Sequence, residues 1–558
     1  MATTAVTGER IDYASILPGR TKALILAGVL LGLFLAALDQ TIVSTALPAI
    51  VADFNGLDLV AWISTGYLLA STTMVPIYGK LSDLYGRRAI LIWGIIVFLL
   101  GSALCGIAAD MVQLIIFRVI QGVGAAALTS TAFAVPADLF APAERARYMG
   151  MFGGVFGLSS VVGPFLGGLI TDQISWHWVF YVNLPLGLIA LAFILRKMPP
   201  LKSGLRAPID WLGTIFLTLA VVPLLLGLTL DKGQYPWGSP LIVGLLATAA
   251  VSTAIFLTVE RRAPSPIIDF RLFRIRTFWV AIAASVLNGS AFFGAILFLS
   301  LFLVNVVGLS ATAAGTAQIP LMLAFVTSSI TASALVQRVG RYKPFIVGGF
   351  IVMLFGFFLM TQLSAQSSVW DVTWRMVILG MGIGPAMPLL NLALQNAVPF
   401  QQIGSATAGR QFFQQLGQAV GAALFGVVLS TTLTAQIAAN VAPVVQSLPA
   451  AVQEQLDLSH LRSATVAAEG AVGEQADIAG KLAQAAEAYG LPAAEAQAIG
   501  GQVSLALKTS FASSITRIYS YAIWLVAAAL TLVVLFLPEQ PLRKTNRAEN
   551  PASAPVFE

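Results

Sequence analysis

Long apolar runs separated by short polar turns make up most of this 558-residue chain. A helix rises about 1.5 Å per residue, so each run is long enough to cross the roughly 30 Å apolar core of a bilayer. The pattern therefore predicts an all-α polytopic membrane protein with fourteen transmembrane helices. The fourteen runs lie near residues 23–48, 59–78, 89–109, 112–135, 148–171, 178–195, 211–230, 240–259, 278–305, 313–336, 344–363, 373–396, 407–433 and 516–537.

Composition and charge agree with a membrane protein. The chain is 58% hydrophobic and 10% charged, whereas a soluble domain carries about 25% charged residues. Its net charge of +6 comes from short loops and forms no basic stripe interleaved with aromatic residues, which argues against nucleic-acid binding. Lys and Arg concentrate in alternate loops, Lys232 and Arg375 being exceptions. By the positive-inside rule, both termini are predicted to be cytoplasmic.

Several other functions find no support in the sequence. The single cysteine, Cys105, lies in an apolar run and cannot form an intramolecular disulfide. The two histidines belong to no metal-ligand cluster, and no Walker-type loop points to ATP hydrolysis. The polar stretch Met1–Arg20 argues against a cleavable signal peptide. We therefore predict a protein that is not an enzyme and that uses no cofactor other than protons.

A weak internal repeat suggests how the spans are grouped. Ser333–Arg341 follows the tenth span as Gly79–Arg88 follows the second, but without an acidic residue. Two related six-helix bundles with two inserted helices account for fourteen spans. The predicted units are a cytoplasmic N-terminus (1–22), an N-terminal bundle (23–195), basic linkers with the inserted helices (196–276), a C-terminal bundle (277–433 and 516–537), an extracytoplasmic loop (434–515) and a cytoplasmic tail (538–558).

The loop at 434–515 is rich in Ala, Gln and Glu and has turn signals at Pro443 and Pro449. We interpret it as a set of short, weakly amphipathic helices, with partial disorder as the alternative. It could gate the outward opening, contact an envelope partner or do neither, and the sequence does not choose among these alternatives.

The turn between the second and third spans carries a dense set of charged and small residues. It reads Gly79-Lys-Leu-Ser-Asp83-Leu-Tyr-Gly86-Arg87-Arg88. Gly86 permits a sharp reversal, and Asp83 can accept hydrogen bonds from helix N-termini or from arginines. We predict that these residues gate the conformational change by holding one pair of helices against another.

Two charged residues lie within predicted spans. Asp39 is the one acid well inside an apolar run, and Arg118 is the one basic residue placed deeply. An intramembrane carboxyl group is costly and is by default a functional candidate. We predict that Asp39 takes up and releases a proton and that Arg118 is its partner. The alternatives are a structural acid that caps a broken helix and an arginine that only binds backbone carbonyls.

The fifth span contains the ordered string Gly163-Pro164-Phe-Leu-Gly167-Gly168. Proline bends a helix and frees a backbone carbonyl, and closely spaced glycines form a smooth packing face. We predict a role for these four residues in conformational gating.

Taken in order, the Asp39 span, the Asp83 turn, the Arg118 span and the GPxxGG string resemble the fourteen-span drug:proton antiporters of the major facilitator superfamily. The resemblance covers about residues 20–430 and 516–540. In that family GPxxGG accompanies exporters. The resemblance implies proton coupling at Asp39 and Arg118 and gating by Asp83, Arg87 and the Gly163–Pro164 pair. Ser159 departs from the motif, which usually has glycine at that position.

The sequence indicates the substrate pocket less clearly than it indicates the coupling residues. Aromatic rings with a few polar groups suit bulky, amphipathic and cationic organic molecules. The alternative for each candidate is that it only packs against lipid or a neighbouring helix. The candidates are Gln40, Trp62, Tyr67, Asn288, Phe292, Asn391 and Gln395.

The leading hypothesis is a monomeric, proton-coupled multidrug exporter of the cytoplasmic membrane that confers antibiotic resistance. Its partners would be small amphipathic molecules, protons and membrane lipids. The main alternative is a dedicated exporter of one native lipid, siderophore or antibiotic-like product. A proton-coupled importer is disfavoured by GPxxGG, and a non-transporting sensor is disfavoured by the Asp39/Arg118 pair.

Overall fold

The computed structural model describes residues 13–54, 56, 59–202, 207–230, 232–441, 443 and 492–543. Within these ranges the chain forms α-helices and short 3-10 turns, with no β-strand. We number the long helices α1 to α14. They are α1 (Gly19–Phe54), α2 (Val60–Tyr85), α3 (Arg87–Cys105), α4 (Met111–Leu139), α5 (Pro142–Gln173), α6 (Asn183–Lys197), α7 (Trp211–Thr229), α8 (Pro240–Glu260), α9 (Arg276–Asn305), α10 (Ile319–Val339), α11 (Lys343–Met360), α12 (Val369–Ala397), α13 (Ile403–Asn440) and α14 (Ala493–Phe536).

Fourteen helical segments in the described residues are long and apolar enough to cross a membrane. The prediction of an all-α polytopic protein with fourteen transmembrane helices is therefore confirmed. Large apolar side chains remain on the outside of the molecule, for example Phe165 and Trp524. An apolar exterior of this kind suits a protein whose solvent is lipid.

Two groups of six helices meet across the middle of the molecule. We call α1–α6 the N-half and α9–α14 the C-half. The halves touch mainly where α2 packs against α13 and where α5 packs against α10. Helices α7 and α8 pack against each other, and α7 also contacts α2 and α13. The inserted pair therefore lies beside the boundary between the halves.

The last helix is longer than the apolar run that predicted it. Helix α14 begins at Ala493, whereas the predicted span begins near residue 516. The added turns still bury Val503, Leu507 and Phe511. Hydropathy missed them because apolar residues alternate with polar ones there. Residues 444–491, which make up most of the predicted 434–515 loop, lie outside the described ranges.

Candidate functional site

Asp39 lies in α1, fully buried, and accepts hydrogen bonds from two other helices of the N-half. Arg118 on α4 donates through Nη1 to Asp39 Oδ2 and forms an ion pair with it. Gln121, also on α4, donates to Asp39 Oδ1 at 2.8 Å, and Asn183 on α6 donates to the same oxygen at 3.1 Å. Charge-assisted bonds of this kind are stronger than neutral ones. The predicted partners Asp39 and Arg118 are therefore brought together.

Arg118 also makes the contacts that the alternative interpretation described. Its Nε donates to the backbone carbonyl of Ile63 at 3.3 Å, and its Nη1 donates to Gln121 Oε1 at 2.7 Å. The guanidinium carbon lies 4.3 Å from the centre of the Tyr67 ring. Tyr67 is buried, and its hydroxyl donates to the carbonyl of Ala36 at 3.2 Å. This predicted pocket residue thus covers the face of the Arg118 guanidinium.

Sequence reasoning missed three polar residues of this network: Ser102, Gln121 and Asn183. Ser102 on α3 accepts from Gln121 at 3.1 Å and from Asn183 at 3.0 Å, and it donates to the carbonyl of Phe180 at 2.8 Å. Gln121 had a usable signal, because it lies one helical turn after Arg118. Asn183 and Ser102 had none, since only the packing of α3 and α6 brings them to Asp39.

A second buried cluster lies at the end of α2. Asp83 accepts from the backbone N–H of Gly404 at 3.1 Å and of Ser405 at 2.7 Å, in the first turn of α13. Arg87 forms an ion pair with Asp83 at 2.6 Å, and both side chains are buried. A helix N-terminus carries unpaired donors and a partial positive charge. Asp83 therefore links the two halves and has both kinds of partner that the sequence predicted.

Arg87 extends this cluster to an acid that the sequence analysis did not identify. Its Nε donates to Asp138 Oδ2 of α4 at 3.1 Å, and its Nη1 donates to Ser82 Oγ at 2.5 Å. Asp138 is buried near the end of α4, so Asp39 is not the only buried acid of the spans. We call Asp83, Arg87 and Asp138 the Asp83 cluster. One guanidinium there compensates two carboxylates.

The neighbouring predicted residues shape this turn. Gly86 has φ of +95°, a conformation that a side chain would strain. A Cβ atom on Gly79 would overlap Ala408 of α13, so α2 and α13 approach closely there. Arg88 is only partly buried and donates to the carbonyl of Leu195 at 2.7 Å, within the N-half.

Further hydrogen bonds between the halves lie toward the same end of the molecule. Arg145 of α5 donates to Gln395 Oε1 of α12 at 3.2 Å. Gln395 donates in turn to the Phe133 carbonyl at 2.9 Å and to Thr407 Oγ1 at 3.0 Å. The predicted pocket residue Gln395 is therefore part of the contact between the halves. The described structure is closed at the Asp83 end.

The other predicted pocket residues do not form one group. Gln40 is exposed and Trp62 is partly exposed, on helices of the N-half. Asn288 and Asn391 are buried in the C-half, and the Phe292 ring stacks on a neighbouring phenylalanine at 6.4 Å between ring centres. Only the tertiary structure could show that these residues do not share one pocket, because the position of each residue in its own span is compatible with a pocket.

Arg118 is not the only basic residue that lies deep in the protein. Arg410 of α13 and Arg145 of α5 are 1% exposed, which corrects the expectation drawn from the sequence. The predicted thirteenth span began at residue 407 and placed Arg410 at its edge. The helix begins at Ile403 instead, and its first turns are covered by other helices.

The GPxxGG string packs α5 against α1 close to Asp39. A Cβ atom on Gly163 would lie 2.7 Å from Thr41 Cβ, and one on Gly167 would lie 2.7 Å from the Ile42 carbonyl oxygen. The hydroxyl of Thr41 donates to the carbonyl of Ser159 at 2.9 Å. Pro164 lies inside the helix. The string therefore connects α5 directly to the helix that carries Asp39.

Adjacent glycines in this string have opposite surroundings, which gives a matched pair of variants. Gly167→Ala should destabilise the protein by about 1–3 kcal/mol because the new methyl group overlaps α1. Gly168→Ala should have little effect, since nothing lies within 4 Å of its Cβ position. Thermal unfolding of the purified variants, with dye efflux measured in parallel, tests this difference. Equal behaviour of the two variants would contradict the close contact between α1 and α5.

A model of the Major Facilitator Superfamily matches residues 29–422. Two similar proteins come from Bacillus subtilis (strain 168). Multidrug transporter protein MdtP is 40% identical over 429 residues, covering 77% of this chain and 79% of the relative. Multidrug resistance protein 3 is 40% identical over 425 residues, covering 76% and 82%.

Solved structures agree with the sequence comparison. The proton:xylose symporter XylE aligns with a TM-score of 0.59 at 13% identity, covering 95% of this chain and 98% of that one. At that identity the likeness concerns the fold alone. The chain belongs to the major facilitator superfamily. It is therefore a multi-pass membrane transporter and not an enzyme.

Proposed function

We propose that this chain is a proton-coupled antiporter that exports hydrophobic and amphipathic organic compounds across the cytoplasmic membrane. The observation that carries the proposal is the buried Asp39–Arg118 pair, surrounded by hydrogen-bond donors in the N-half. The names of the relatives, multidrug transporter and multidrug resistance protein, support the substrate class. The GPxxGG string beside Asp39 supports export rather than import. Efflux of this kind would confer antibiotic resistance on the cell.

Protonation of Asp39 would change the contacts that hold α1 against α4 and α6. As a carboxylate, Asp39 accepts from Arg118, Gln121 and Asn183. As a neutral acid it loses its charge attraction to Arg118. The guanidinium would then be held by the Ile63 carbonyl, Gln121 and the Tyr67 ring. The two protonation states thus favour different strengths of the α1–α4 contact.

A shift of α1 can be transmitted to the C-half through packed helices. Helix α1 packs against α5 through the Thr41–Ser159 hydrogen bond and the Gly163–Gly167 face. Helix α5 in turn packs closely against α10, where a Cβ atom on Gly150 would lie 2.8 Å from the Ser329 carbonyl. Because packed helices shift as rigid units, proton binding at Asp39 can bias the arrangement of the halves.

The proposed direction follows from the closed end. With both termini in the cytoplasm, the Asp83 end faces the cytoplasm. The described structure is then closed on the inside, as expected for a state that releases substrate outward and receives a proton. One proton moving inward across about 100 mV supplies about 2.3 kcal/mol. For an uncharged substrate this supports a gradient of roughly fiftyfold.

Transport in proteoliposomes tests the proposal. The purified chain is reconstituted, a pH gradient is imposed, and movement of ethidium is followed together with lumenal pH by a trapped pH dye. Ethidium should move opposite to protons, and an uncoupler should stop accumulation. Transport that is indifferent to the uncoupler, or movement of dye and protons in the same direction, would overturn proton antiport. Vesicles without protein and vesicles with an unrelated membrane protein are the controls.

A further inference from the structure

The C-half contains a buried cation that has no acidic partner among the residues described by the structure. Arg410 of α13 is 1% exposed. Its Nε donates to Asn391 Oδ1 at 3.2 Å, and its Nη1 donates to Ser285 Oγ at 3.2 Å and to Gln414 Oε1 at 2.8 Å. Its Nη2 has no hydrogen-bond partner among the described residues. All three partners are neutral.

Two other buried arginines of the described chain are compensated by acids. Arg118 pairs with Asp39, and Arg87 pairs with Asp83 and Asp138. Arg410 takes part in none of the ion pairs found in the described ranges. A buried charge without a counter-charge costs several kcal/mol. A guanidinium held in this way by neutral groups is ready to receive an anion.

The surroundings of Arg410 are polar and only partly satisfied. Asn288 lies one helical turn from Ser285 on α9, and its buried Oδ1 atom also lacks a hydrogen-bond partner in the described part of the chain. Asn and Gln side chains carry both donors and acceptors, so small rotations can present N–H groups to an anion. The planar guanidinium fork matches a carboxylate, which it can bind through two parallel hydrogen bonds.

The position of the cluster suits a substrate site. Helices α9, α12 and α13 each supply a residue to it. Asn391 also contacts Met149 Sδ of the N-half at 3.8 Å, so the cluster lies on the side of the C-half that faces the N-half. Phe292 lies one helical turn beyond Asn288 on α9, which gives an aromatic surface next to the polar groups.

We infer that Arg410, with Asn391, Ser285 and Gln414, binds the carboxylate of an amphipathic organic substrate. The inference rests on the proposed export function and extends its substrate class to anionic or zwitterionic amphipathic molecules, beside the cationic class that the aromatic residues alone suggested. The apolar part of such a molecule would lie along the aromatic surface of α9.

Two dyes that differ at one group provide the test. Rhodamine B carries a free carboxylate, and its ethyl ester is the same dye without that charge. Binding of each dye to the purified full chain is measured by fluorescence anisotropy, with no proton gradient. Arg410→Gln should raise the Kd of rhodamine B about tenfold or more, the effect of losing a charged hydrogen bond, and should leave the Kd of the ester nearly unchanged. Arg410→Lys should retain part of the preference.

A control variant and a stability measurement test whether the effect on binding comes from net charge or from a structural role of Arg410. Arg375→Gln removes one positive charge elsewhere, from an arginine paired with Asp371, and should change neither Kd. Arg410→Gln should unfold at a temperature no lower than the wild type, because it removes an uncompensated buried charge. The same ratio of the rhodamine B Kd to the ester Kd in wild type and in Arg410→Gln would overturn the inference. A parallel loss of both dyes would also overturn it, since that indicates a purely structural arginine.

An inorganic anion is the other source of the same chemistry. The measurements are repeated with chloride replaced by methanesulfonate, an anion that carries no carboxylate. One outcome is that the unfolding temperature of the wild type changes with chloride while that of Arg410→Gln does not. If, in addition, the carboxylate of rhodamine B has no effect on binding, the site holds an inorganic anion and the substrate assignment fails. Failure of the proposed proton antiport is distinguishable from failure of the inference that Arg410 binds a carboxylate. The preference between the dyes is measured without a gradient and should persist in Asp39→Asn.

Discussion

Replacement of Asp39 by asparagine is expected to reduce proton-coupled efflux to the level of vesicles without protein. Asparagine keeps the shape and one acceptor of the carboxylate, but it cannot take up and release the proton. Arg118 also loses its buried counter-charge, which should destabilise the fold by up to about 3–5 kcal/mol. Efflux of ethidium and lumenal pH under an imposed pH gradient measure the coupling. Counterflow, which needs no net proton movement, should survive.

Two further variants separate chemistry from folding. Asp39→Asn combined with Arg118→Gln removes both buried charges and should recover thermal stability without recovering coupling. Asp53→Asn changes an exposed acid on the same helix, whose carboxylate accepts from Trp176 at 3.0 Å, and should transport normally. Proton-coupled efflux by a well-inserted Asp39→Asn protein would remove Asp39 from the mechanism.

Variants of the Asp83 cluster should impair turnover more than binding. Asp83→Asn weakens the acceptor for the first turn of α13 but leaves Arg87 paired with Asp138. A loss of about 1.4 kcal/mol in the closed arrangement would shift its population about tenfold. Arg87→Ala should be more severe, at about 3–5 kcal/mol, because it removes the guanidinium that two buried acids share.

Comparison of binding with transport measures this effect. The Kd for ethidium is determined on purified protein, and the transport rate is determined per reconstituted molecule. Arg88→Ala is the matched comparison, since the Arg88 guanidinium donates to a carbonyl of its own half, and it tests the predicted gating role of Arg88 separately from the Asp83 cluster. A large loss of affinity with a normal rate per bound substrate would show that the cluster does not control the conformational change.

Much of the architecture was readable from the sequence. Bilayer thickness requires about 20 apolar residues per helical span, so fourteen runs predicted fourteen helices. Charges are costly inside a span, so Asp39 and Arg118 stood out and their pairing was predictable. The charged turn predicted that Asp83 would accept from a helix N-terminus or from an arginine, and it accepts from one and pairs with the other. These features were predictable because they depend on local composition, or because few charged residues inside the spans are available to pair with each other.

Other features were decided by the packing of helices distant in sequence. Asn183 and Ser102 are ordinary polar residues until α3 and α6 bring them to Asp39. Asp138 and Arg410 lie near span ends, where hydropathy expects water, and only their neighbours bury them. The division of small and polar residues between lipid, bundle core and the contact between halves follows from three-dimensional packing. Hydropathy measures how well a residue tolerates lipid, but it carries no information on which helix will cover it.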